Sequence, residues 1–217
     1  MMSEGLLLLT NDGGLARRVV LASGDRIAGD IVVNVAGAWG PEICAMVGMK
    51  VPVEPLSRNT FYFEIRGEIE TMPLTKDPGG VAFRQEGAGF TVGQTDTNVP
   101  FGFNWDVKHD LFETIFWPAL AHRIPAFEAL QVKRGWAGHY AYNRMDGNTI
   151  IGKWIGGLDN FYVATGFTGA GLQKGPAIGR AMAELLLDGG YQTVDLSRMS
   201  YQRVIDEEPL REVGFSA

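Results

Sequence analysis

Three short β-rich runs open the chain, Leu6–Thr10, Leu15–Leu21 and Ile31–Val35, separated by the turn-forming stretches Asn11-Asp12-Gly13-Gly14 and Ser23-Gly24-Asp25. Runs punctuated in this way predict strands joined as a β-meander. The last run is apolar rather than alternating, the pattern of a strand buried on both faces. It leads into Ala36-Gly37-Ala38-Trp39-Gly40, and Pro41, which suits a first helical turn, predicts a short helix over Pro41–Met49.

Beyond Val51, strands are expected at Thr60–Ile65, Gly80–Arg84 and Gly89–Gln94, with Gly67, Pro73, Pro78 and Gly87 as punctuation. Leu111, Ile115, Phe116 and Leu120 recur at helical spacing within Trp105–Arg123, and Ile124-Pro125 supplies the stop. Gln131–Tyr142 returns to aromatic-rich β-like sequence, which makes the middle region a mostly antiparallel sheet with one helix beside it. The tail reads as a strand at Phe161–Ala164, a glycine loop at Gly166–Gly175 and a helix at Pro176–Leu187, followed by a polar surface arm over Tyr191–Ala217.

Composition narrows the function classes. A net charge of -6 over 217 residues, with no basic stripe, argues against a nucleic-acid partner. Leu6–Leu9 is too short to span a bilayer, and Met1-Met2-Ser3-Glu4 lacks the positive start of a secretory signal. The chain is therefore read as a soluble protein without a membrane span, cytoplasmic with a mitochondrial alternative. A single cysteine, Cys44, can form neither an internal disulfide nor a cysteine zinc site. Asp106, His109 and Asp110 share a helical face but lack a fourth ligand, so no metal is expected; they suit the acidic start of an exposed helix. No nucleophile-base pair or hydrolase elbow is present.

Gly169-Ala170-Gly171-Leu172-Gln173-Lys174-Gly175 lies between a predicted strand and helix, where a dinucleotide fingerprint would be sought. The spacing is too long by a residue. Asp195 follows at about the ~20 residues required of a ribose partner, yet almost no chain remains after it to complete a nucleotide-binding sheet. A different contact fits better. Glycines let backbone approach an aromatic ring system, and a helix start offers amide N–H groups and positive potential, worth up to about 2 kcal/mol toward developing negative charge.

Four motifs occur together: Asp30-Ile-Val-Val-Asn-Val-Ala-Gly-Ala-Trp39, Gly135-Trp136-Ala137-Gly138, Asp146-Gly147-Asn148-Thr149-Ile150-Ile151-Gly152 and Asn160-Phe-Tyr-Val-Ala-Thr-Gly-Phe-Thr-Gly-Ala-Gly-Leu172. In this order the chain resembles the glycine, sarcosine and D-amino-acid oxidase superfamily over nearly its whole length. The resemblance implies a mixed α/β (α+β) fold, in which the remainder of a Rossmann-like FAD domain (1–49 and 145–190) accompanies an antiparallel substrate domain (50–144) and an arm (191–217).

It also implies non-covalent FAD as cofactor. Ala36, Gly37 and Trp39 would lie near the flavin, and Gly166, Phe167, Thr168, Gly169, Ala170, Gly171 and Leu172 would face its pyrimidine edge. Family members begin with a G-x-G-x-x-G half that nothing before Leu6 supplies. The missing half, or a partner subunit carrying it, is therefore an expected partner, and the chain alone is expected to be inactive. Its absence would leave Ile31–Val35 without a neighbour and favour self-association.

The implied reaction is oxidation of the C–N bond of a small-molecule amine or amino acid, by a dehydrogenase rather than an efficient oxidase. The alternative is an assembly or scaffold factor with a flavoprotein fold, of the kind linked with respiratory complex I assembly. Where glycine oxidases carry a carboxylate-binding arginine, this chain reads His139-Tyr140, and Gln173 stands where sarcosine oxidases carry a lysine. An arginine fork matches a carboxylate better than a phenol does. Tyr140, His139 and Thr91 are the candidate catalytic residues, and Tyr142, Gln173 and Arg84 the candidate substrate contacts; aromatic packing on a sheet face is an equally good account of the tyrosines. In Gly89-Phe90-Thr91-Val92-Gly93, Thr91 replaces the lysine whose charge assists oxygen reduction in the sarcosine oxidases. A branched side chain at Gly171 is expected to collide with the ring or to demand a forbidden backbone angle.

Overall fold

The computed structural model describes residues 6–9, 17–20, 23–156 and 158–210. In chain order the strands are β1 (Leu6–Leu9), β2 (Arg17–Val20), β3 (Arg26–Gly29), β4 (Ile31–Asn34), β5 (Val53–Glu64), β6 (Thr75–Lys76), β7 (Ala82–Glu86), β8 (Gly89–Gly93), β9 (Gln131–Asn143), β10 (Ile150–Lys153) and β11 (Phe161–Thr165). The helices are α1 (Gly40–Met46), α2 (His109–Leu111), α3 (Trp117–Arg123), α4 (Gly171–Leu187) and α5 (Gln202–Ile205). Two units result, residues 1–55 with 140–217 and residues 56–139, and the chain crosses between them within β5 and within β9.

In the first unit the four-stranded sheet has the order β1-β4-β11-β10. Continuous burial of the apolar run suits β4 to an inner strand: Val32 packs into a cluster with Cys44, Met49, Ile150 and Phe161, while Val33 joins Ile151, Ala164, Ile178 and Met182 in another. The expected meander is not formed. β1 pairs antiparallel with β4, and β2 pairs with β3 as a separate hairpin inserted between them. Nor is β4 a bare edge, since β11 lies parallel on its other side with Tyr162 opposite Val33. The reason is that β11, far off in sequence, supplies the neighbour that local reading could not see. β10, antiparallel to β11, was not anticipated as a strand, because Ile150-Ile151-Gly152 is short and follows turn residues.

Helix α4 begins at Gly171, five residues before the expected start, and carries Pro176 within its second turn. Proline lacks a donor and disfavours helix for its predecessor, which made it look like a beginning. The tail beyond α4 is no loose arm. Tyr191–Val194 forms no strand, Asp195 accepts the Ser197 amide at 2.9 Å, and Tyr201 and Arg203 are buried.

Glu184 fastens the start of this tail. Its carboxylate accepts the Thr193 hydroxyl and the amides of Gln192 and Thr193 at 2.8 and 3.0 Å, and pairs with Arg180. Those bonds, the Thr193 hydroxyl foremost, lower its pKa from 4.5 to about 2. A carboxylate depressed in the folded state stabilises it above the unfolded pKa, and the contribution is lost as pH falls. Unfolding midpoints in urea are therefore expected to drop between about pH 4.5 and 2. Glu184→Gln should flatten that limb, and an unchanged acid limb would rule the contribution out.

The second unit contains strands of the five-stranded sheet β6-β7-β8-β5-β9. Strand alternation gives one face to Phe61, Phe63, Phe83, Phe90 and Val92, which bury against Phe112, Phe116, Leu120 and Phe127. The expected long helix is present as α2, a π turn at Phe112–Phe116 and α3 in succession. Leu111, Phe116 and Leu120 pack on the sheet cluster, which explains most of the helical periodicity, whereas Ile115 is 41% exposed.

Candidate functional site

β4 and β11 are adjacent and parallel, so the segments after both leave the same end of the sheet. β4 runs into a 3-10 turn at Gly37–Trp39, and β11 into Gly166–Ala170. In open α/β sheets, ligands bind in the crevice beyond the carboxyl ends of such strands. The first-unit residues expected at a cofactor, Ala36, Gly37 and Trp39 with Gly166–Leu172, are thus gathered at one edge.

Asn34 sets the first bend. Fully buried, it donates to the Gly40 carbonyl at 2.8 Å and to Cys44 Sγ at 3.2 Å, and accepts the Ala36 amide at 3.2 Å. A Cβ at Gly40 would lie 2.9 Å from Thr165 Oγ1, so the bend is seated against the end of β11. Asn34 was not singled out in the sequence; a polar residue inside an apolar strand was the available signal.

The second bend depends on left-handed backbone at Gly166, Thr168 and Gly169, with φ of 72°, 50° and 88°. Thr168 is the costly one, since a branched side chain disfavours positive φ. Its amide donates to the Ala141 carbonyl at 3.0 Å, and its hydroxyl accepts the Asn143 amide at 3.1 Å. A Cβ on Gly169 would come within 2.7 Å of the Tyr140 ring, so this glycine exists to let Tyr140 approach. At Gly171 the forbidden backbone angle is absent. The residue is the first of α4, has no positive φ, and a Cβ there would meet only Phe167 at 3.8 Å; the forbidden angles belong to Gly166 and Gly169.

α4 has no side-chain cap, so the N–H groups of its first turn have no partner from a capping side chain. Leu172 is 84% exposed at this end, and Gln173 is exposed beside it. Uncapped amides, positive helix-end potential and glycine backbone together fit the electron-rich edge of a planar ring. Tyr140 and Tyr142 alternate along β9 and share one of its faces, half-buried.

The remaining candidates lie in the second unit. Thr91 sits mid-strand in β8, opposite Tyr62 on one side and Arg84 on the other. Arg84 is half-exposed and paired with Glu86 at 3.0 Å, which offsets its charge. Arg134 lies 5.4 Å from the ring centres of Tyr62 and Trp136. His139 packs against Phe103 and Trp105, and its Nε2 accepts the Asn104 amide at 2.9 Å. The neutral ring's proton therefore resides on Nδ1, and burial lowers the imidazole pKa. The same loop walls a cleft with Arg58, Asn59, Gln94 and Lys108. Among the described residues no His, Cys, Asp and Glu group could hold a metal ion, and no helix is long and apolar enough to cross a membrane.

This is a mixed α/β fold in which two glycine bends follow the ends of neighbouring parallel strands. The chain belongs to the FAD dependent oxidoreductase (DAO) family, whose profile matches residues 8–185. It is 41% identical over 198 residues to FAD-dependent oxidoreductase domain-containing protein 1 of Xenopus laevis, covering 84% of this chain and 40% of the relative. Mitochondrial sarcosine dehydrogenase of Mus musculus is 27% identical, with 85% of this chain and 21% of that protein covered. Among solved structures, L-proline dehydrogenase from P. horikoshii superposes with a TM-score of 0.79 at 26% identity, over 89% of this chain and 51% of the other. Glycine oxidase from Geobacillus kaustophilus, at TM-score 0.74 and 19% identity over 85% and 48%, shares the fold. The chain thus spans about 40% of the FAD-dependent oxidoreductase domain-containing relatives it matches. These likenesses are to oxidoreductases and do not favour the scaffold alternative.

Proposed function

We propose that the chain is part of a flavoprotein that oxidises the C–N bond of a small amine or amino acid. The observation that carries this reading is the pair of glycine bends at the ends of β4 and β11, joined to the uncapped start of α4. FAD, when bound, supplies the hydride acceptor. The bends let backbone approach a ring, and the α4 amides stabilise negative charge at its edge. Tyr140, through its packing on Gly169, fixes the loop's outer side and, with Tyr142 and Gln173, offers polar contacts to a substrate. His139, with its accepting nitrogen already engaged by Asn104, orients the 103–105 loop.

The cofactor is held without a covalent bond to Cys44, whose thiol is fully buried against the Asn34 side chain and is pushed up to about 11 by that burial. Denaturation is expected to release free FAD; flavin that stays with the protein would contradict this. The test of function is anaerobic addition of secondary amines and amino acids to FAD-loaded protein that includes the family's other half. Bleaching of the flavin spectrum supports the reading, and an inert spectrum across both classes contradicts it.

The proposed enzyme is a dehydrogenase. Superoxide-like charge formed near Thr91 would meet no lysine there, and Arg84 is already paired with Glu86. A cation beside that charge would stabilise it, so the missing lysine slows the oxygen reaction. Reduced protein is expected to reoxidise faster with a quinone or dye than with air, and Thr91→Lys should raise the oxygen rate about tenfold or more, roughly 1.4 kcal/mol. Equal air and dye rates in the unaltered protein would end this proposal.

A further inference from the structure

The glycine loop is braced from behind by polar side chains that lead beyond the matched family region, which ends at residue 185. After α4 the chain turns at Ser197–Met199, and just before α5 the Tyr201 hydroxyl donates to the Lys50 carbonyl at 2.7 Å. Arg203 follows, 5% exposed. Its Nη1 donates to Asp146 Oδ2 at 2.8 Å, and its Nη2 donates to the carbonyls of Asn148 and Thr149 at 3.2 and 2.9 Å.

Asp146 has a side chain only 1% exposed, and both of its oxygens are engaged. Oδ2 also accepts the Leu210 amide at 2.8 Å, while Oδ1 accepts Asn143 Nδ2 and the Asn148 amide, each at 2.9 Å. Asn143, fully buried, gives its own amide to the Thr168 hydroxyl. A path of hydrogen bonds therefore runs from the Arg203 side chain through that of Asp146 to the Asn143 side chain, and from the Asn143 backbone N–H to the hydroxyl of Thr168, the residue held at φ 50°. Such a conformation persists only where its surroundings over-determine it.

We infer that Arg203 is a positioning residue for the glycine loop, holding Thr168 left-handed so that the loop and the first amides of α4 keep their aim. Its functional meaning rests on the flavin reading of that loop; the coupling itself needs no ligand. An arginine is required because one planar fork reaches a carboxylate and two carbonyls at once, which a lysine ammonium cannot do. Without it a buried carboxylate loses its cation, and the turn that holds Asn143 must relax.

Native-state amide exchange of the chain in low urea tests this. The amides of Thr168 and Leu210, which lie at opposite ends of the path, are expected to open together with one denaturant dependence, below the opening of the β11 amides. Arg203→Lys should speed Thr168 exchange about tenfold more than it speeds β11, and should shift the Thr168 Cα and Cβ resonances away from left-handed values; Arg203→Met should do so further. Thr168 opening independently of Leu210 in the unaltered chain overturns the inference, and that comparison decides if a variant does not fold. Thr168 exchange and resonances that change in Arg203→Lys only in step with β11 also overturn it. Coupling found without any flavin effect on the loop would sustain the positioning role while removing the flavin reading.

Discussion

Phe127→Ala is expected to lower the stability of the chain by about 3–5 kcal/mol, the range for a fully buried phenylalanine. Phe127 is fully buried, and its ring meets those of Phe90, Phe63 and Phe83 at 4.9, 5.2 and 5.7 Å between centroids. It comes from a 3-10 turn at Pro125–Ala129 and joins the sheet cluster beside Leu120 of α3. Truncation removes both the buried area and the edge-to-face ring contacts, and a rigid sheet can collapse into the hole only in part. Thermal and urea unfolding measure the loss. A cost under about 1 kcal/mol, the scale of an ordinary substitution, would show that the cluster repacks.

Gly169→Val is expected to cost about 2–4 kcal/mol, combining backbone strain with overpacking. The residue stands at φ 88°, where a β-branched side chain is an outlier, and its new Cβ would meet the Tyr140 ring at 2.7 Å. Relief requires either moving Tyr140 or unwinding the bend that leads into α4. Tyr140 fluorescence and the melting temperature should change together. Gly171→Val is the paired control, because a Cβ there meets nothing closer than Phe167 at 3.8 Å. If the two variants are equally stable, the close approach at Gly169 carries no energetic weight.

Local pattern made much of this legible. The apolar run at β4, the aromatic alternation of β5 and β8, and the helical spacing from Leu111 to Leu120 each report burial on a face that neighbours in sequence already define. The glycine bends were legible because left-handed backbone selects for glycine. What escaped depends on partners distant in sequence. β11 fills the edge of β4 from some 130 residues away, as the Asn160 side chain's bond to the Asp30 carbonyl across 130 positions shows. Nothing around Phe127, which follows the Ile124-Pro125 stop, marks it as core, although it is fully buried. Arg203 lies in a polar stretch that resembles a solvated arm, and nothing near it hints at Asp146, 57 residues earlier. Asp146 and Asn148 were visible as a motif, yet their role as the brace of Asn143 emerges only once the turn is folded.

The central claim is that the loop from Gly166 to Leu172 and the first turn of α4 form the flavin-facing surface of the protein. It is tested most directly by amide hydrogen exchange with and without FAD, in protein that includes the family's other half. The account predicts that the Gly171, Leu172 and Gln173 amides, which no side chain caps, become protected at least tenfold when flavin binds, while those of β8 do not change. Flavin bound in stoichiometric amount with no protection at these three amides would contradict it.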